Sequence, residues 1–344
     1  MSTQQSSAER PAAPAPTAVD PPVEGRAARA RPMLVRLGLV VAVAVVAVAA
    51  AYLRTGGSTI VVTQAVVTGL LLGGIYGLVA MGLTLIFGVL DIVNFAHGAL
   101  MALAMYVTFV LVSQTGMDPY LTLLVSVPLL FLLGAAIQGG LLNRVMGQPL
   151  QNQLLLTLAI SLIIQNVLLM VFTGNPQGVT ADYGAPLSVF GAVAQAPRVI
   201  AFVAALLLAG VLTLLLRRTR IGTAIRAVAA NPEGARLVGI DVRRIHILTF
   251  AIGTACAAAA GTLVTPFVTI EPLAGEVFNI TAFVIVVLGG MGNVLGALVG
   301  GLLIGLAEQL GAVYFPEQSP MLTVFAVFVL VLFLRPQGLF GSRT

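Results

Sequence analysis

Glu308 stands inside an apolar stretch of membrane length, where an ionisable side chain is costly unless it faces protein or water. Two roles are open to it. A proton relay would make the chain an ion-coupled carrier, whereas a hydrogen bond to a neighbouring helix would be structural; a single acid near the end of a span speaks for the second. Asn94 and His97, in the run NFAHG, fall near the cytoplasmic junction of two apolar spans, suited to capping and packing or to lining a gate. The other histidine, His246, begins a different span, and no cysteine or carboxylate cluster joins the two, so no metal site is expected. Cys256 sits in a small-residue apolar run and reads as a buried structural thiol. No Ser/His/Asp or Cys/His arrangement is present, so no catalytic residues are expected. All 17 basic residues are arginine. Without a lysine the chain cannot form a standard Walker A loop or a Schiff base, so any ATP-driven work must come from a partner.

The elements around these residues are those of a polytopic membrane protein. Of 344 residues 59% are hydrophobic and 8% charged, and the mean hydropathy is +1.06. A soluble domain carries about 25% charged residues. The formal charge of +5 would suggest nucleic acid in a soluble protein. Here the arginines cluster at the ends of apolar spans, which is the positive-inside pattern, and no nucleic-acid partner is expected. Residues 1–32 are rich in Pro, Ala and small polar types and read as a disordered cytoplasmic tail. Apolar spans follow at 33–53, 60–90, 96–113, 120–142, 153–173, 198–216, 245–268, 281–291, 294–311 and 321–334. The first is an uncleaved helix rather than a signal peptide, given its length and the tail before it. The fold expected is therefore all-α, with about ten transmembrane or half-membrane helices in a permease domain over 33–344.

Span 60–90 would be about 46 Å long as a straight helix, against a hydrocarbon core of about 30 Å. Gly73, Gly74 and Gly82 are where a bend or break is expected. With the N-terminus inside, ten spans place 143–152, the island 217–244 and the C-terminus with Arg335 and Arg343 on the cytoplasmic face. Asp182, Glu271 and Glu276 then fall outside. This parity holds only if LGGMGNVLG, containing Gly289 and Gly290, breaks the run 281–311 into two segments. Two glycine-dense stretches, 69–88 and 288–305, flank the island and suggest either close helix packing or paired interrupted segments around a translocation path. Asn94, His97, Gly289, Gly290 and Glu308 are the candidate path or gate residues.

The island itself reads RRTRIGTAIRAVAANPEGARLVGIDVRR. Residues 223–230 favour a short helix. Asn231 suits the cap of a second helix, Pro232 its first position, Glu233 its positive dipole end and Gly239 its termination. The exposed face is expected to carry Ile225, Val228 and Leu237 beside Arg226 and Arg236. Such a face suits either a groove on a cytoplasmic protein or an anionic lipid surface.

Four stretches resemble the permease subunits of branched-chain amino acid ABC importers. They are GLLLGGIYGLVAMGLTLIFGVLDIVNFAHGAL (69–100), IGTAIRAVAANPEGARLVGIDVRRIHILTFAIG (221–253), VVLGGMGNVLGALVGGLLIGLAE (286–308) and RPQGLFG (335–341). The resemblance implies a non-enzymatic subunit of the bacterial inner membrane, with both termini cytoplasmic. It pairs with a second permease, binds two ABC ATPase subunits that use ATP and Mg, holds no cofactor itself, and receives solute from an extracytoplasmic binding protein. It also implies that Gly222, Arg226, Ala227, Asn231, Ala235 and Gly239, with Glu233 in the same loop, form the segment that engages the ATPase. Related permeases carry branched-chain amino acids, urea or short amides. Asp91 departs from the family pattern, in which a small or apolar residue precedes the NFAHG run.

Overall fold

The computed structural model describes residues 58–340 apart from 180–182, 190, 316–319 and 336, together with Val48, Tyr52, Leu53 and Gly56. The expected tail, and all of the first span but Val48, Tyr52 and Leu53, lie outside the described residues, as do Asp182 and Arg343. The described chain is helical: α1 Thr59–Leu90, α2 His97–Thr115, α3 Leu123–Val145, α4 Leu150–Phe172, α5 Ala196–Arg218, α6 Arg220–Ala230, α7 Pro232–Leu237, α8 Val242–Val264, α9 Ala274–Gly289, α10 Val294–Tyr314 and α11 Pro320–Leu334. Seven of these (α1 to α5, α8 and α10) are long and apolar enough to cross a membrane, while α9 and most of α11 are shorter apolar helices. Nine expected spans thus have a helical counterpart. Lipid leaves backbone polar groups no partners outside the segment, which is why spans of this composition become helices.

The centre of the bundle is α1. Contrary to expectation it does not break at Gly73, Gly74 or Gly82 but runs unbroken from Thr59 to Leu90. Its glycines serve approach instead. A β-carbon added at Gly69 would stand 2.8 Å from the Gly305 carbonyl oxygen of α10, and one at Gly73 would stand 2.8 Å from Leu302 Cα. The two glycine-dense stretches are therefore the two sides of one antiparallel seam, and only the second of them is interrupted. Gly82 gives α8 the same access: a β-carbon there would lie 2.7 Å from the Gly253 carbonyl and 2.8 Å from Cys256 Cβ. Cys256 is buried and free. Close backbone approach at small residues is how membrane helices gain packing contacts when lipid competes for apolar surface.

Buried hydroxyls join α2, α3 and α8. Thr108 bonds Thr262 at 3.1 Å, Thr122 bonds Thr108 at 3.2 Å, and Ser126 and Thr262 are 2.7 Å apart. Two β features interrupt the helices of the described chain, an isolated antiparallel bridge between Gln177 and Ile270 and a short hairpin. Leu187–Val189 (β1) pairs antiparallel with Ala192–Ala194 (β2) about Gly191, whose φ is +82°. Gln64 of α1 pins this hairpin like a third strand, donating to the Val193 carbonyl at 3.0 Å and accepting from the Val193 N–H at 2.8 Å.

The expected break in LGGMGNVLG is present. Helix α9 stops at Gly289, Gly290 has φ +94°, and Asn293 caps α10 by accepting from the Gly296 N–H at 2.9 Å. Leu339 and Phe340 return to this break: the Leu339 N–H donates to the Leu288 carbonyl at 2.7 Å and Asn293 Nδ2 to the Phe340 carbonyl at 3.2 Å. The α3–α4 joint, the α6–α7 hairpin, the α9–α10 break and the final segment consequently share one end of the bundle. The β-hairpin and the start of α5 lie at the other.

Candidate functional site

The island folds into the two helices expected, and both are capped. Helix α6 begins at Arg220, earlier than residue 223, because Thr219 Oγ1 accepts from the Gly222 N–H at 3.0 Å. Gly222 is required there, since a β-carbon would overlap the Leu215 and Leu216 carbonyls at the end of α5. Asn231 caps α7 by accepting from the Gly234 N–H at 2.9 Å, with Pro232 and Glu233 in its first turn. The exit is a Schellman motif: the Ile240 N–H reaches the Ala235 carbonyl and the Gly239 N–H the Arg236 carbonyl, both at 3.0 Å, with Gly239 at φ +84°. Asp241 then caps α8 at the Arg244 N–H, 3.1 Å.

Helix α6 faces the opposite way from expectation. Ile225 and Val228 are 1% and 0% exposed, packed into the bundle, and Ala235 is buried behind them. The reason is that α6 must cover the ends of α1 and α8, so its apolar stripe is spent inward. What the hairpin presents is Leu237 and Val238, 89% and 76% exposed, at the tip of α7, with Arg226, Asn231, Glu233, Arg236 and Gly239 exposed and Ala227 half-buried. Two depressions flank it. A cavity of about 400 Å³ lies between α6 and the α9–α10 break, lined by Arg217, Arg226, Asn293 and Phe340. A groove of about 700 Å³ runs between α7 and the α3–α4 joint, lined by Asn143, Gly147, Glu233, Arg236 and His246.

The gate candidates do not form one cluster. Asp91 caps α1 in a left-handed conformation, φ 55°, and is exposed, and the connector after it turns back into the bundle. Asn94 Oδ1 accepts from the Ala96 N–H at 3.1 Å, and His97 Nε2 lies 3.1 Å from the Val79 carbonyl. Val79 is about three turns before the end of α1, so His97 is deep within the bundle and not at the junction expected for it. Helices α2 and α9 begin beside one another there, at Gly98 and Gly275, and Asn279 Nδ2 donates to the Phe95 carbonyl at 3.2 Å. Gly289 permits α9 to pass α10: a β-carbon on it would sit 2.6 Å from the Gly296 carbonyl. Glu308 is elsewhere, in the far half of α10, where its partner is the hydroxyl of Tyr76 on α1.

The residues missed in sequence lie at the end opposite the hairpin. Thr68, Leu72, Ile75 and Tyr76 of α1, Arg198 of α5, Phe267, Val268, Phe278 and Gln309 line a cavity of about 330 Å³. Arg198 stacks its guanidinium over Phe267, 5.6 Å from the ring centre. The signal was the odd placement of an arginine in the first turn of an apolar helix. At the same end, burial and the neighbouring Asp118 push the Tyr183 hydroxyl above its ordinary pKa.

A family model described as branched-chain amino acid transport system / permease component matches residues 65–334. The chain is 33% identical over 300 residues to the high-affinity branched-chain amino acid transport system permease protein BraD of Pseudomonas aeruginosa, covering 81% of this chain and 95% of that one. It is 31% identical over 293 residues to the corresponding LivH of Escherichia coli, with the same coverage. At 29% identity over 268 residues it is similar to the D-allose transport system permease protein AlsC of Escherichia coli, covering 74% of this chain and 75% of that one.

Proposed function

Because the chain belongs to the family of permease components of branched-chain amino acid transport systems, we propose that it is the membrane-spanning subunit of an ATP-binding-cassette importer of the bacterial inner membrane. Its solute is a branched-chain amino acid or a related small polar molecule handed over by an extracytoplasmic binding protein. Two ATPase subunits, which bind and hydrolyse the ATP, dock on the α6–α7 hairpins of this chain and of a second permease. The observation that carries this reading is the hairpin: capped at both helix starts, closed by a Schellman turn, and ending in Leu237 and Val238 held in the open. Among the described residues, Arg144, Arg217, Arg218, Arg220, Arg226, Arg236, Arg243, Arg244 and Arg335 lie at the hairpin's end of the bundle. Positive-inside bias supports reading that end, where Arg335 also lies, as the cytoplasmic one.

The geometry supports a mechanical role. Closure of the ATPases displaces the tip of α7, and α6 transmits the displacement through Ile225 and Val228 to α1 and α8. Helix α6 also walls the cavity that abuts the α9–α10 break. Rigid-body rocking of packed helices across the glycine seam then alternates access to the two faces.

The rival reading is an ion-coupled carrier using Glu308. Its test is uptake by the reconstituted parent transporter with the proton and sodium gradients collapsed. ATP-dependent uptake is expected to persist without either gradient and to stop when ATP is withheld. Uptake driven by an ion gradient without ATP, and lost on Glu308→Gln, would refute the assignment.

A further inference from the structure

Arg198 is placed against two general rules. It is in the first turn of α5, where the helix dipole disfavours a cation. It is also the one arginine among the described residues at the end of the bundle opposite the hairpin, against the charge bias that every other described arginine follows. No carboxylate among the described residues lies within salt-bridge distance of it; the ion pair among those residues, Arg244–Asp241, is at the hairpin's end. Its Nε is buried without a hydrogen-bond partner. A half-buried guanidinium of this kind, aimed into a cavity and steadied on the face of Phe267, is a receptor for an anion.

The rest of the cavity specifies which anion. Its walls are mostly apolar, from Leu72, Ile75 and Phe278, and Tyr76 presents a ring packed edge-on against Phe278 at 5.8 Å. The hydroxyl of that ring is held by the Glu308 carboxyl group, so two further oxygens stand at and behind the cavity wall on the α10 side. A cation, an apolar chamber and an acid supported by a tyrosine together match a carboxylate, an aliphatic side chain and an ammonium group. The volume of about 330 Å³ lies in the range of roughly 300–1,000 Å³ of small-molecule sites. We propose that this cavity is a transit site within the permease for a zwitterionic aliphatic amino acid, with Arg198 taking its carboxylate and the Tyr76–Glu308 pair its ammonium. The proposal rests on the importer reading and adds to it a place where the membrane subunit itself selects solute.

The experiment uses the complete transporter in nanodiscs, with Cys256→Ala removing the native thiol and Leu72→Cys placing a new one in the cavity wall. Val268→Cys serves as a second position should the first disturb assembly. Leucine is expected to slow alkylation of the new thiol by at least about fivefold. Leucinamide, which lacks the carboxylate, and isocaproate, which lacks the ammonium, should each slow it by less than about twofold, and Arg198→Gln should abolish the protection by leucine. Absence of protection by leucine at both positions, equal protection by leucinamide, or protection that survives Arg198→Gln would each overturn the proposal. ATP-driven leucine uptake by the unsubstituted transporter is measured alongside. Its absence would count against the importer reading, whereas its presence without protection would count against the transit site alone.

Discussion

Replacing Leu237 and Val238 together by aspartate is expected to reduce ATP-driven uptake at least about a hundredfold while leaving the permease folded. Both side chains stand almost fully in solvent, so the isolated chain loses nothing by the change. Burying a leucine and a valine against a partner is worth about 1.5–3 kcal/mol each, and every 1.4 kcal/mol is about tenfold in affinity. The two charges add a desolvation cost on the same surface. Co-purification of the ATPases should fail, and the thermal unfolding of the permease should be unchanged. Deletion of 224–230 is a poorer test, because Ile225 and Val228 leave with it and the ends of α1 and α8 lose their cover. Arg226→Glu, on an exposed position, is the cleaner companion.

The second large effect concerns the α1–α10 seam. Gly305→Leu is expected to cut the yield of folded permease to below about a tenth. The first carbon of the new side chain would already meet Gly73 Cα and N at 2.6 Å, and backbone cannot move aside as a side-chain end can. Overpacking a side chain in a core costs about 1–3 kcal/mol; here two central helices must separate, so the cost is expected to exceed that range. Gly210→Leu on α5 is the control. Nothing lies within 4 Å of a β-carbon there, and the position is exposed on the outside of the bundle. Folded yield should be unchanged at Gly210 and lost at Gly305; equal tolerance would mean that the seam is looser than these distances.

Local signals carried far in this chain. Apolar runs located nine spans, and charge parity demanded the break at Gly290 that the backbone takes. Asn231, Pro232 and Gly239 announced the second hairpin helix because caps and terminators act within one turn. What escaped depends on neighbours far along the chain. A glycine that breaks a helix and one that admits another helix look alike in sequence, so the glycines of α1 pointed to a kink where α10 passes instead. The direction in which α6 turns its apolar stripe is set by the open ends of α1 and α8, which no window of the island contains. The β1–β2 hairpin was missed because three-residue strands carry little pattern, and its anchor, Gln64, is 129 residues away. His97 begins the span after Leu90 and so pointed to a junction of two spans, whereas the connector folds back into the bundle and carries it to the level of Val79.

The same split separates the two parts of the proposed mechanism. The hairpin proposed to meet the ATPases is one continuous segment, and its second helix was readable from Asn231, Pro232 and Gly239. Arg198, Tyr76, Phe267 and Glu308 come from four separate helices and connectors, and become a site only once α1, α5 and α10 are packed.

The central claim, that energy enters through the α6–α7 tip from the cytoplasm, is tested most directly with Leu237→Cys in a Cys256→Ala background. In inside-out membrane vesicles an impermeant maleimide should label this thiol, docking of the ATPases should protect it, and a short bifunctional reagent should join it to an ATPase subunit. Labelling from the outside of intact cells, or a thiol equally reactive with and without the ATPases, would contradict the account.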